Sequence, residues 1–232
     1  MSICDNIKEI QQRITDAAKK CGRNPSDIKL IAVTKTKPIE DLREAFKCGM
    51  TEFGENRPQE LAAKYPEFTD TDINWHLIGQ LQKNKVKYII DKAQLIHSVD
   101  SYELALEINK RALAIDKVQD ILIQINISGE ESKSGVSPDE AEALCRKISE
   151  LENVKIKGLM TISVRGLDYQ GNKEIFSRLA MLLEKLIGCN IPNTEFCELS
   201  MGMTNDFEAA IEAGSTMIRV GTAIFGARDY MI

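Results

Sequence analysis

Histidine is scarce in this chain: His76 and His97 are two among 232 residues, too few and too isolated to argue for a metal centre. The cysteines at 4, 21, 48, 145, 189 and 197 form no C-x-x-C pair, so neither a zinc site nor a redox dithiol is signalled. Free thiols in a reducing compartment are the expected state. A basic surplus is also missing. Lys and Arg number 30 against 35 Asp and Glu, giving a formal charge of -5, and no basic stripe is available to neutralise phosphates. Nucleic acid is excluded as the expected partner. No apolar run approaches a membrane span, and Met1-Ser2-Ile3-Cys4-Asp5 lacks the basic and apolar regions of a signal peptide. The expectation is a cytoplasmic protein that does not meet the membrane. Linkers, low-complexity runs and hairpin signals are absent too, so residues 1–232 read as one domain.

What the chain has is a regular alternation of apolar strands and amphipathic helices. Ile3, Ile7, Ile10, Ile14, Ala17 and Cys21 repeat at helical spacing ahead of the first strand. Strand-like runs then follow at 29–34, 51–53, 73–78, 95–99, 121–127, 156–162, 196–199 and 217–220, each with a helix or short helical stretch behind it. Asp100-Ser101-Tyr102-Glu103 has the form of a capping box, and Ser137-Pro138 that of a helix start. Eight such units predict a single (β/α)8 TIM barrel of class α/β with an extra N-terminal helix; a doubly wound open sheet is the second arrangement.

The first strand carries the chemistry. Leu30-Ile31-Ala32-Val33-Thr34 is the kind of apolar run that is buried on both faces, and it stops at Lys35-Thr36-Lys37-Pro38. While the backbone stays extended, Lys35 and Lys37 point to the same side. A lysine at the carboxyl end of a barrel strand can form a Schiff base if a nearby cation or partial desolvation lowers its pKa, and Lys37 is placed to be that cation. Two solvated lysines are the alternative these residues leave open.

In a barrel, Lys35, Asn56, His76, Asn126, Ser200 and Arg219 share one mouth. Ser200-Met201-Gly202 leaves the seventh strand and Gly221-Thr222 the eighth, each toward a helix N-terminus. Glycines and hydroxyls there suit a phosphate, though plain turn chemistry explains them as well. Arg219 offers only donors, so beside a pyridine ring it would keep the nitrogen unprotonated. A structural ion pair with Glu198 or Asp206 is the competing role.

The motifs Ala32-Val33-Thr34-Lys35-Thr36-Lys37-Pro38, Phe53-Gly54-Glu55-Asn56, Trp75 through Lys85, Gly158-Leu159-Met160-Thr161, Leu199-Ser200-Met201-Gly202-Met203 and Arg219 through Gly226 resemble the pyridoxal phosphate homeostasis protein family. The resemblance runs over nearly the whole chain in order. It implies a barrel like the N-terminal domain of alanine racemase, holding pyridoxal 5'-phosphate (PLP) as an internal aldimine on Lys35. Ser200, Gly221 and Thr222 match the phosphate loops and Arg219 the partner of the pyridine nitrogen, while Lys37, Asn56, His76, Met160, Met201 and Gly202 complete the implied cofactor-binding set. Thr34 stands where the family usually has serine, and Arg57 where it usually has tyrosine. The second departure alters the rim.

A racemase needs a second base on the other face of the substrate carbon and a lid that excludes water. Neither is visible, although Tyr102, Tyr169 and Tyr230 are candidates for the base. The expectation is therefore a monomeric PLP carrier without turnover, with apo PLP-dependent enzymes as candidate recipients. A weak amino-acid racemase is the main alternative, and a class I aldolase acting on a sugar phosphate the third.

Overall fold

The computed structural model describes residues 2–130, 133–164 and 166–226. The first element is α1 (Ile3–Lys20). Its start is fixed by a reciprocal cap in which the Ser2 hydroxyl accepts from the Asp5 amide and the Asp5 carboxylate accepts from the Ser2 amide. Its apolar stripe Ile7, Ile10, Ile14, Ala17 and Ala18 is buried, each isoleucine contributing about 1.5–3 kcal/mol.

Strands and helices then alternate: β1 (Lys29–Val33), α2 (Ile39–Lys47), β2 (Glu52–Glu55), α3 (Pro58–Lys64), β3 (Asn74–Leu77), β4 (Ala93–Val99), α4 (Tyr102–Leu113), β5 (Gln119–Gln124), α5 (Ala141–Ile148), β6 (Val154–Met160), α6 (Tyr169–Gly188), β7 (Thr194–Met203), α7 (Phe207–Glu212), β8 (Met217–Val220) and α8 (Thr222–Phe225). A 3-10 helix at Lys83–Tyr88 fills the place of an α-helix between β3 and β4. All pairings are parallel, and β1 bonds to β2 on one side and β8 on the other, closing an eight-stranded barrel. The open sheet is thereby excluded. Helix α1 packs on α2, α7 and α8, outside the ring.

Two apolar regions divide the work. The larger fills the space between strands and helices, with Phe53, Phe68 and Trp75 meeting edge to face at 5.8–6.3 Å. The smaller, Ile31, Leu95, Leu122, Met160 and Met217, lies inside the barrel. Polar side chains occupy the rest of that interior, and they position the site.

Local expectations are corrected at several places. Ser101 is the N-cap of α4 but makes no side-chain cap bond. Helix α5 begins at Ala141, later than Ser137 suggested, because the Ser137 hydroxyl donates to the Glu140 carboxylate instead of capping a helix. Strand β7 runs on through Ser200 to Met203, a stretch that reads as loop. Cys4 and Cys48 form a disulfide between the first turn of α1 and the end of α2, 44 residues apart, while Cys21, Cys145, Cys189 and Cys197 are free. Cysteine spacing could not reveal that pair, since packing of two helices brings it together. No helix among the described residues is long and apolar enough to cross a membrane.

Candidate functional site

Strand β1 stops at Val33, and the chain turns at Lys35-Thr36. Thr36 takes a left-handed φ of 63°, and the Lys37 amide donates to the Thr34 carbonyl at 3.0 Å. The extended geometry that would align the two lysines is therefore broken between them. Lys35 lies half-buried at the lip. Lys37 instead sends its ammonium to the Phe225 carbonyl at 2.8 Å, tying this turn to the end of α8.

The turn is gripped from α3. Lys64 Nζ donates to the Thr34 carbonyl at 2.7 Å and to Glu55 Oε1 at 2.6 Å. Thr34 Oγ1 donates to the same carboxylate oxygen at 2.7 Å, and the Thr36 amide to Glu60 Oε2 at 2.8 Å. Burial raises the Glu55 carboxyl above its ordinary range despite the pull of Lys64. Sequence reading missed Lys64, because a lysine in the last turn of a helix ordinarily faces water.

Beneath the lip, Arg219 stands on β8 in register with Ile31 of β1. The residue is 4% exposed, and its guanidinium donates to Ser200 Oγ and, at 2.9 Å, to the Thr161 carbonyl. Burial lowers its pKa to about 10, which leaves it charged at neutral pH. Neither competing ion pair forms: Glu198 accepts from Lys29 and Thr216, and Asp206 from Ser163 and the Met203 amide.

From Ser200 a chain of polar contacts runs down the barrel. Ser200 Oγ lies 2.8 Å from His97 Nδ1, His97 Nε2 lies 3.0 Å from His76 Nδ1, and His76 Nε2 lies 2.6 Å from Glu52 Oε2. His76 is thus one layer below the mouth, 2% exposed. His97, absent from the expected set, is its partner. Burial drives the His97 imidazole well below its usual range, with His76, Arg219 and Lys29 adding to the effect. Burial pushes Glu52 up, but hydrogen bonds from His76 and Asn74 outweigh it and its carboxyl ends below the ordinary value. The signal for His97 was strand alternation, which puts it on the same face as Leu95.

Loops seven and eight divide differently from the expectation. Ser200 is fully buried and directed inward, Met201 belongs to the outer core, and Gly202 holds a φ of 94° against Phe207 and Ala210. Gly221 lies against the end of β1, where an added Cβ would come within 3.2 Å of Val33. Thr222 beside it is exposed. Met160 is inside the barrel. Asn56 lines a cavity of about 210 Å³ with Ile78, Gly79, Gln124, Asn126 and Lys133. Asn126 itself folds back on its own loop, accepting from Ser128 and the Gly129 amide. Of the candidate second bases, Tyr102 packs against the outer core and Tyr169 lies over Lys20 on the outer surface. Burial and a bond to Glu212 push the Tyr169 phenol up to about 12. Tyr230 lies outside the described residues.

These donors suit a molecule with an aldehyde, a pyridine ring and a phosphate. An amine sits at the end of β1, the turn of loop eight is pressed against that same strand end, and a fixed guanidinium lies below on the adjoining strand.

Comparison with known proteins gives the same assignment of fold. The model of the family described as alanine racemase, N-terminal domain, matches residues 6–229. A pyridoxal phosphate homeostasis protein of Aquifex aeolicus is 44% identical over 99% of this chain and 100% of its own length. One from Escherichia coli is 40% identical over 98% and 97%. The structure of PipY from Synechococcus elongatus with PLP bound superposes with a TM-score of 0.85 at 33% identity, covering 97% of this chain and 100% of that one. Alanine racemase of Clostridium difficile shares the fold alone, with a TM-score of 0.75 at 16% identity and 57% of its chain covered.

Proposed function

The chain belongs to the pyridoxal phosphate homeostasis protein family, built on the alanine racemase N-terminal domain, and from that premise we propose that it binds PLP and serves as a carrier of it. When bound, PLP supplies an aldehyde able to condense with an amine and a pyridine ring able to draw electrons. Lys35 is the residue of attachment, and Gly221 and Thr222 hold the phosphate, with the buried backbone of Ser200, Met201 and Gly202 forming the adjoining wall. Arg219 faces the ring nitrogen. A guanidinium has no proton to release at neutral pH, so the nitrogen stays unprotonated and the ring remains a weak electron sink. Asn56 and Met160 line the mouth and interior, His76 supports Arg219 from below, and Lys37 holds loop eight against the β1 turn.

The observation that carries this reading is the adjacency of β8 and β1, with Arg219 registered to Ile31 and Gly221 packed on Val33 just before Lys35. The carrier reading rests on chemistry too. Racemisation needs an electron sink and two opposed bases, whereas Arg219 weakens the first and Tyr102 and Tyr169 are engaged elsewhere. We place the binding unit across the whole chain, acting as a monomer and passing PLP to apo-enzymes.

Borohydride reduction of the PLP-loaded protein, followed by peptide mass measurement, should put the adduct on Lys35. Amino acids incubated with the loaded protein in deuterium oxide should keep their α-protons. An adduct elsewhere contradicts the site, and rapid exchange contradicts the carrier.

A further inference from the structure

The contacts Arg219–Ser200–His97–His76–Glu52 span the barrel from the ligand end to its floor, and they admit one arrangement of protons when both imidazoles are neutral. Arg219 can only donate, and ionised Glu52 can only accept. Between them stand three groups with one proton each. Each contact needs one donor and one acceptor, so Arg219 donates to Ser200 Oγ and the Ser200 hydroxyl donates to His97 Nδ1. His97 Nε2–H then donates to His76 Nδ1, and His76 Nε2–H to Glu52. A proton on His97 Nδ1 would set two lone pairs against each other, either between the imidazoles or, with His76 in its other tautomer, between His76 Nε2 and Glu52, unless a second proton were added to His76.

We propose that Glu52, His76 and His97 are positioning residues for Arg219, with the carboxylate at the floor setting the direction of the chain and so holding the Ser200 hydroxyl proton on His97, which leaves the Ser200 lone pairs to aim the guanidinium. This rests on the reading that the ring nitrogen of PLP lies against Arg219. Two further observations favour it. His97 is fully buried and held neutral by that burial. Glu52 is anchored by a second donor, Asn74 Nδ2 at 2.9 Å, and is at the edge of a floor cavity of about 370 Å³ between α1 and the starts of β1 and β2. The groups around the relay are Lys29 on β1, which itself pairs with Glu198 of β7, Glu52 and Asn74 from the β2 and β3 starts, His97 on β4, Arg219 on β8 and Asp206 ahead of α7, whose charge acts on Arg219. The direction of the chain is therefore controlled from the end of the barrel remote from the ligand.

Both histidines of the sequence are in the relay, so nitrogen-labelled histidine gives NMR spectra with two imidazoles and no others. In the ligand-free protein at neutral pH both should carry the proton on Nε2, with Nδ1 unprotonated. A proton on Nδ1 of either ring overturns the proposal. In Glu52→Gln the amide can donate as well as accept, so the chain can run backwards. The expected result is a shift of both rings toward the Nδ1–H form, together with a shift in the visible band of bound PLP or in its pH midpoint. Tautomers that change while the band and its pH profile stay as in wild type would make the relay structural only and overturn the positioning role. Wild-type protein that fails to bind PLP would instead defeat the assignment of PLP to this mouth, a separate failure because the tautomers are measured without ligand.

Discussion

Lys64 and Glu55 form a buried ion pair of 2.6 Å directly beneath the turn that carries Lys35. Glu55 is inaccessible to water, and its Oε2 lacks a partner, so Lys64 supplies the charge that makes the carboxylate tolerable there. The same ammonium holds the Thr34 carbonyl. Replacing Lys64 by Met should cost about 3–5 kcal/mol of stability, the penalty for stranding a buried charge. Adding Glu55→Gln should recover part of it. Denaturant unfolding of the single and double variants checks this; equal losses in both would show that the charge is not the cause.

Lys37 and Lys35 should separate cleanly in their effects. Lys37→Met removes a charged donor from the Phe225 carbonyl and frees loop eight from the β1 turn. It should weaken PLP binding by about tenfold, the scale of one charge-assisted hydrogen bond, while leaving covalent attachment possible. Titration of the visible band against added PLP measures it.

Gly79 is where the third strand's exit meets the second. A Cβ there would stand 2.2 Å from the Asn56 carbonyl oxygen, a backbone atom that cannot rotate away. Gly79→Ala should therefore cost about 1–3 kcal/mol and displace Asn56 at the mouth. Thermal unfolding and PLP affinity should both fall; unchanged values in both would contradict the packing.

The Cys4–Cys48 bond closes a loop of 44 residues, for which the chain-entropy account gives about 4 kcal/mol as the upper end of stabilisation. Reduction, or Cys48→Ser, should lower the unfolding midpoint and leave the PLP band unchanged, because the bond lies on the α1–α2 side of the helical layer. Intact mass with and without reductant tests whether the bond is present.

Glu52 gives the protein an acid-sensitive term. Its folded pKa is below the ordinary 4.5, so its stabilisation is present above that value and is lost as pH falls through the lower folded one. The stability difference between wild type and Glu52→Gln should therefore shrink on acidification and stay flat above neutrality. Growth of that difference as the pH falls would reverse the sign.

The barrel could be read from the sequence because each strand is a short apolar run ending in polar residues, and Lys35, Arg219 and Gly221 could be placed by counting along such runs. The interior could not. Whether His76 faces the mouth or the floor depends on His97 of the next strand and Glu52 of the previous one, which a single strand's pattern does not carry. Met201 reads as loop because Gly202 signals a turn, yet β7 continues past it and alternation turns its side chain outward. Lys64 and the Cys4–Cys48 pair were hidden for a related reason: each acquires its role from a helix packing against something distant in the chain.

The most direct test is the visible absorbance of purified protein after addition of PLP and removal of the excess. Wild type should retain a band above the protein's own absorbance, and Lys35→Ala should retain none while still folding. A wild-type protein that stays colourless, or a Lys35→Ala variant that keeps the band, would contradict the assignment of PLP to this mouth.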